Sequence, residues 1–334
     1  MSIARTRIVS LGSNLPVKVV TNFDLEQSMN TTDEWIQQRS GIRERRWVSP
    51  GETLGGMATA ASKEAMEKGN LKPDDIDAII FSSLIGDYVF PGTGVLLQDR
   101  LGMSKPIPAL DIRNQCSGFL YALSIADAWI RSGFYRRVLI STSEIHSTSM
   151  EKSSKGRDLN VLFGDGAASC VVEACSESEP HVIDTILASE GKYAEKLIIR
   201  NPSPNNHPRL QPNGQLDDSY YPTMDGRFVF KNAVERMCEV LHQVTRKNNL
   251  KISDIDFVIP HQANLRINQM VMQQLEIPFE KSHSTIERYG NTTSVTIPLT
   301  LNEALSLGKI KKGDLVAFVA FGSGFTWGAS LVRF

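Results

Sequence analysis

One segment of this chain occurs twice. Asn70-Leu-Lys-Pro-Asp-Asp-Ile-Asp-Ala-Ile-Ile-Phe81 returns as Asn249-Leu-Lys-Ile-Ser-Asp-Ile-Asp-Phe-Val-Ile-Pro260. In each copy a helix end and a turn lead into an apolar strand. Val138-Leu-Ile-Ser-Thr142 pairs with Val316-Ala-Phe-Val-Ala320, and Ala168-Ser-Cys-Val171 with Ala329-Ser-Leu-Val332. Three echoes in the same order predict a duplicated α/β unit, with halves 1–175 and 176–334. A chain of 334 residues has room for two such units at about 100–200 residues each.

The strand candidates are Ile76–Ser82, Val138–Thr142, Ala167–Val172, Ile255–Ile259 and Leu315–Phe321. Their apolarity is continuous, which marks strands covered on both faces. Phe230, Val234, Met237, Leu241 and Val244 recur at spacings of three and four, so that segment is a helix with one core-facing stripe. Gly118–Arg131 is apolar on nearly every side, as a helix in the middle of the molecule would be. Together these predict a layered α/β/α/β/α architecture with two sheets around a shared helix layer. Arg200–Tyr221 carries four of the 15 prolines and little periodicity, and reads as a long surface loop.

Charge excludes several classes. Lys plus Arg number 36 and Asp plus Glu 37, a net charge of −1. Nothing here holds nucleic acid or an anionic membrane by bulk charge. No apolar run reaches the roughly 18–20 residues that span a bilayer. The N-terminus has too short an apolar stretch for a secretory signal of about 7–15 residues, and reads as a strand of a cytoplasmic protein. Cys116, Cys170, Cys175 and Cys238 lack C-x-x-C spacing, so neither a disulfide framework nor a zinc site is expected.

Three residues carry chemistry. Cys116 lies in Asp111-Ile-Arg-Asn-Gln-Cys-Ser-Gly-Phe119, at the start of the apolar helix. A helix N-terminus favours thiolate, the nucleophilic form. His261 follows the strand Ile255–Ile259, at the end where α/β folds place ligands. Asn291 lies in Tyr289-Gly-Asn-Thr-Thr-Ser294, and extending the repeat brings it near the position equivalent to Cys116. Taken singly, each has an ordinary reading: a small buried hydrophobe, a satisfied core histidine and a helix cap.

As a set, these motifs resemble the thiolase-fold condensing enzymes of the β-ketoacyl-[acyl carrier protein] synthase III family. The resemblance spans Thr31-Thr-Asp-Glu-Trp-Ile36, Ser40-Gly-Ile-Arg-Glu-Arg45, the Cys116 segment and Phe163-Gly-Asp-Gly-Ala167. It continues through His261-Gln-Ala-Asn-Leu-Arg266, Gly290-Asn-Thr-Thr293 and Phe321-Gly-Ser-Gly-Phe-Thr-Trp-Gly328. It implies that Cys116 takes an acyl group from acyl-CoA and that the backbone N–H groups of Cys116 and Ser323 hold the oxyanion. His261 and Asn291 would stabilise the enolate formed when malonyl-[acyl carrier protein] loses CO₂, initiating fatty acid synthesis with no metal or cofactor. It further implies CoA contacts at Thr31, Trp35, Arg39, Arg157, Gly226 and Asn264, and a carrier-protein patch at Lys231, Gln262 and Arg266. Phe163 and Met224 would border an acyl pocket, and Phe90 would enter the partner's pocket in a homodimer.

The sequence departs from that family at Asn114-Gln-Cys-Ser-Gly118, at Gln273 and in the longer polar segment Glu144–Gly156. A polar loop packing on the dimer partner is expected there. A further departure is Gly322-Ser-Gly-Phe325, where Ser323 would be strained if its φ were one only glycine adopts freely. These bear on the choice of primer. The alternative is a related condensing enzyme, or a cysteine acyltransferase, acting on a longer-chain or secondary-metabolite acyl group. Malonyl-dependent CO₂ release separates condensation from simple transfer or hydrolysis.

Overall fold

The computed structural model describes residues 4–205 and 216–334; part of the segment 200–221 expected to be a loop lies outside them. Nine strands form two main sheets. The first combines β1 (Arg5–Asn14), β2 (Ala78–Ser82), β3 (Ala109–Ile112), β4 (Arg137–Glu144) and β5 (Gly166–Cys175), in the order β1-β5-β4-β2-β3. The second combines β6 (Val182–Ser189), β7 (Phe257–Pro260), β8 (Leu315–Gly322) and β9 (Thr326–Arg333), in the order β7-β8-β9-β6. β2 pairs β4 in parallel and β7 pairs β8 in parallel, and each pair continues into an antiparallel strand. The two sheets therefore share one topology, the first having β3 as an additional edge.

Helices α1 (Asp33–Ser40), α2 (Leu54–Lys68), α3 (Thr93–Arg100), α4 (Gly118–Arg131), α5 (Gly226–Lys247), α6 (Leu265–Gln274) and α7 (Thr296–Ser306) complete the layers. α4 and α7 lie between the sheets. Phe119, Leu123 and Ile130 of α4 and Ile297 and Leu301 of α7 share one core with Ile80 and Ile140 of the first sheet and Ile259 and Phe318 of the second. The alternate residues of the same strands point outward. Ile79, Phe81 and Leu139 pack with α2 and α3, while Val258, Ala317 and Val319 pack with α5 and α6. Side-chain alternation across the strand thus explains the continuous apolar runs, since both faces are covered.

The repeat extends to backbone detail. Asn70 and Asn249, which open the two echoes, both adopt left-handed conformations, with φ of 51° and 55°. Each central helix is entered through a short 3₁₀ turn, Gln115–Ser117 before α4 and Thr293–Val295 before α7. Both turns open on a left-handed residue, Gln115 at φ 44° and Thr293 at φ 48°. Among the described residues, no helix is long and apolar enough to cross a membrane.

Candidate active site

Cys116 occupies the second position of the turn that enters α4, and it is buried. The end of β8 passes so close that a Cβ on Gly322 would stand 2.8 Å from the Cβ of Cys116. This approach brings the N–H of Ser323, along with that of Cys116 itself, onto the sulfur. Left-handed backbone falls on Gly324, at φ 131°, and Ser323 is not among the left-handed residues. The serine is therefore accommodated without the strain its position suggested. The thiol is pushed up to about 12, by burial first and then by the carboxylate of Glu144, against the pull of the two N–H groups. Desolvation thus outweighs the helix terminus, contrary to the expected preference for thiolate.

Glu144 ends β4 and is fully enclosed. Its Oε1 accepts from Ser294 Oγ at 2.6 Å and its Oε2 from the Leu84 N–H at 3.0 Å. His146 is also buried, tilted against the ring of Phe163 at 4.9 Å, with Nε2 3.1 Å from Thr293 Oγ1. The start of the polar segment expected to face a partner subunit therefore points inward instead.

His261 follows directly on β7, where its N–H donates to the Val319 carbonyl at 2.8 Å. Its Nδ1 lies 2.6 Å from Thr296 Oγ1, and its Nε2 is buried with no hydrogen-bond partner. Burial drives the imidazole down to about 3, so it is neutral near pH 7. Asn291 is held by its backbone N–H on the Leu162 carbonyl at 2.8 Å, and its Oδ1 accepts from the Thr293 N–H at 2.8 Å. The side-chain amide N–H₂ is left to face the cleft.

Cys116, His261 and Asn291 line one cleft of about 110 Å³, together with Phe163, Met224, Gly226 and Asn264. A Cβ on Gly226 would meet only Met224 Cε, at 3.7 Å, so the space beside it belongs to the cleft. Asn264 caps α6, and its Nδ2 donates to the Arg39 carbonyl at 2.8 Å. Arg39 and Arg157 each stand 4.5 Å from the centre of the Trp35 ring. Thr31, nearby in sequence, has a buried hydroxyl without a partner. Lys231 of α5 and Arg266 of α6 are exposed, the latter 5.8 Å from the ring of Phe230, which lines the cleft.

One expectation changes. Gln262 is 0% exposed; its Nε2 donates to the Pro260 carbonyl at 2.8 Å, and its Oε1 accepts from the Thr285 N–H at 3.3 Å. It therefore braces the histidine loop from within and cannot meet a carrier protein. The counterpart of Cys116 in the repeat is Ser294, the second residue of the matching turn, and Asn291 lies three residues earlier. Phe90 is 85% exposed and takes no part in the cleft of its own chain.

Comparison with known proteins decides the family. The family model described as 3-Oxoacyl-[acyl-carrier-protein (ACP)] synthase III matches residues 110–191, and the one for its C terminal matches residues 245–334. The Beta-ketoacyl-[acyl-carrier-protein] synthase III of Methylococcus capsulatus is 40% identical over 329 residues, 98% of this chain and 99% of that protein. The chain belongs to the 3-oxoacyl-[acyl-carrier-protein] synthase III family. The crystal structure of the synthase III from Aquifex aeolicus VF5 superposes with a TM-score of 0.89 at 42% identity, covering 98% of this chain and 100% of that one. That of the priming beta-ketosynthase from the R1128 polyketide pathway gives 0.90 at 28% identity, covering 100% and 98%. Like its family, the chain is an acyl-transferring condensing enzyme of thiolase fold.

Sequence reasoning placed Glu144 in a loop against a partner subunit rather than as an enclosed carboxylate acting on the sulfur, and it assigned no role to Thr293 and Thr296. The last two lie within and just beyond the Asn291 motif, but their role depends on backbone conformation, which residue types alone do not reveal.

Proposed function

We propose that this enzyme condenses an acyl-CoA primer with malonyl-[acyl carrier protein] and so initiates fatty acid synthesis. The observation that carries this reading is the convergence of Cys116, His261 and Asn291 on one cleft, with imidazole Nε2 and the carboxamide N–H₂ uncommitted. Cys116 Sγ attacks the thioester carbonyl, and the oxyanion sits on the N–H groups of Cys116 and Ser323. The C–S bond to CoA breaks, the thiol proton ends on the departing CoA sulfur, and an acyl-cysteine remains. The malonyl group then enters, its C–C bond to the carboxylate breaks, and CO₂ leaves. His261 and Asn291 hold the enolate oxygen while its carbon attacks the acyl-cysteine carbonyl; the C–S bond to Cys116 breaks, the 3-ketoacyl product leaves on the carrier, and the cysteine sulfur takes a proton from water to return to the thiol. Loss of one such donor typically costs about 2.7–4 kcal/mol of barrier.

The cleft's outer wall suits CoA. The adenine takes its place between Trp35 and Arg157, whose guanidinium lies over the indole, beside Thr31 and Arg39. The pantetheine arm passes Gly226 and Asn264, and Phe163 and Met224 border the acyl group. Lys231 and Arg266 give the rim the positive charge an acidic carrier would meet. Exposed Ile85, Tyr88, Val89 and Phe90 adjoin edge strand β3, where Asp111 caps the start of α3. An apolar row beside an unpaired sheet edge supports a homodimer in which Phe90 reaches the partner's pocket. The two halves divide at residues 175 and 176. Four free cysteines suit a reducing cytoplasm.

The test is malonyl-dependent CO₂ release together with intact-mass detection of acyl-enzyme. The wild type releases CO₂ and gains one acyl group; His261→Ala and Asn291→Ala acylate but do not decarboxylate; Cys116→Ala does not acylate. Acylation that survives in Cys116→Ala, or decarboxylation unchanged in both other variants, overturns the reading.

A further inference from the structure

His261 has two ring nitrogens, and only one tautomer can donate a hydrogen bond from Nε2 into the cleft. The partner of Nδ1 decides which. That partner is the hydroxyl of Thr296, at 2.6 Å and buried at the first turn of α7. The same hydroxyl also lies 2.9 Å from the Thr293 carbonyl, so its single proton has two possible acceptors.

The Thr293 carbonyl does not depend on it. As the first residue of the 3₁₀ turn, Thr293 already accepts from the backbone N–H of Thr296. Nδ1 has no second donor. If the hydroxyl turned to Thr293, that carbonyl would gain a second bond. Nδ1 would then carry the ring proton and Nε2 would present a bare lone pair to the cleft. If it turns to Nδ1, the Thr293 carbonyl keeps its bond from the Thr296 N–H and the ring proton lies on Nε2. Both arrangements leave Nε2 without a partner in the protein, and only the second gives it a proton to donate to the enolate oxygen, as the proposed reaction requires.

We propose that Thr296 is a positioning residue: its hydroxyl donates to His261 Nδ1, fixes the Nε2–H tautomer, and so makes the imidazole the enolate's hydrogen-bond donor. The proposal deepens the reading given above and rests on it for the choice of tautomer, which is read out below without reference to turnover. Thr293 supports both enolate donors at once. Its left-handed backbone points its N–H at Asn291 Oδ1 and its carbonyl back at Thr296.

Two measurements test this. Nitrogen-15 NMR of histidine-labelled enzyme, with the His261 signals assigned by their loss in His261→Ala, reports the tautomer directly. We expect Nε2–H with Nδ1 as acceptor, and a wild-type Nδ1–H ring overturns the proposal. In parallel, Thr296→Val keeps the branched shape without the hydroxyl, and Thr296→Ser keeps the hydroxyl. Thr296→Val should slow malonyl decarboxylation by about ten- to a hundredfold, the scale known when an outer partner of a metal-bound imidazole is lost. Acylation of Cys116 should stay within about twofold, since that step draws on the oxyanion N–H groups rather than on the imidazole. Thr296→Ser should restore the rate. Decarboxylation at wild-type rate in Thr296→Val, or no recovery in Thr296→Ser, overturns it. A wild-type enzyme that releases no CO₂ defeats the functional reading instead, while the NMR result still decides the tautomer.

Discussion

The sulfur of Cys116 is pulled two ways. Burial and the enclosed carboxylate of Glu144 favour the thiol, and the N–H groups of Cys116 and Ser323 favour the thiolate. Removing the negative charge therefore eases deprotonation. In Glu144→Gln the midpoint of iodoacetamide labelling against pH should move down from the wild-type value; a midpoint that stays or rises would mean the carboxylate does not act on the sulfur. His261 gives a pH signature of another kind. Unfolded, it titrates near 6.5; folded, it is held at about 3. Between those values the unfolded chain binds the extra proton, so the stability tied to the neutral ring is complete above about 6.5 and is lost as pH falls toward 3. His261→Asn should flatten the acid side of a plot of Tm against pH, and an unaltered slope would assign the acid lability to other groups. At this scale the sequence named the three residues that the structure brings to one cleft, because their residue types and order are distinctive. It misjudged Gln262, since whether a residue beside the histidine faces solvent or core depends on how the loop packs.

At the scale of elements, the site is a junction of turns. Both turns that enter the central helices begin on a left-handed residue, a conformation that is uncommon for glutamine and costly for a branched threonine. Tertiary packing enforces it, which is why local sequence preference could not foretell it, whereas the strands were legible as runs covered on both faces. The close pass of β8 against Cys116 has a direct test. Gly322→Ala places a methyl 2.8 Å from Cys116 Cβ and 3.1 Å from its backbone nitrogen. Neither neighbour is a flexible chain end. Acyl-enzyme formation should fall at least about a hundredfold as the N–H of Ser323 is displaced from the oxyanion, by analogy with loss of one such donor. Acylation at wild-type rate would show that the strand yields freely.

Across the whole molecule, the two sheets share one interior. Leu123 of α4 is fully buried in the cluster that joins Ile80 to Phe318. Leu123→Ala should cost about 2–5 kcal/mol and lower a single calorimetric transition; two separate transitions would mean that the halves unfold independently. The order of the three sequence echoes made this architecture readable in advance. Phe90 was not placeable in that way, because its expected partner lies on another chain. The correspondence of Cys116 with Ser294 carries a consequence for symmetry. In a symmetric pair of short chains, both corners would have to be alike. Within one polypeptide they are free to differ: one corner carries the sulfur of Cys116, the other the Ser294 hydroxyl that donates to Glu144, so two equivalent corners present two different groups.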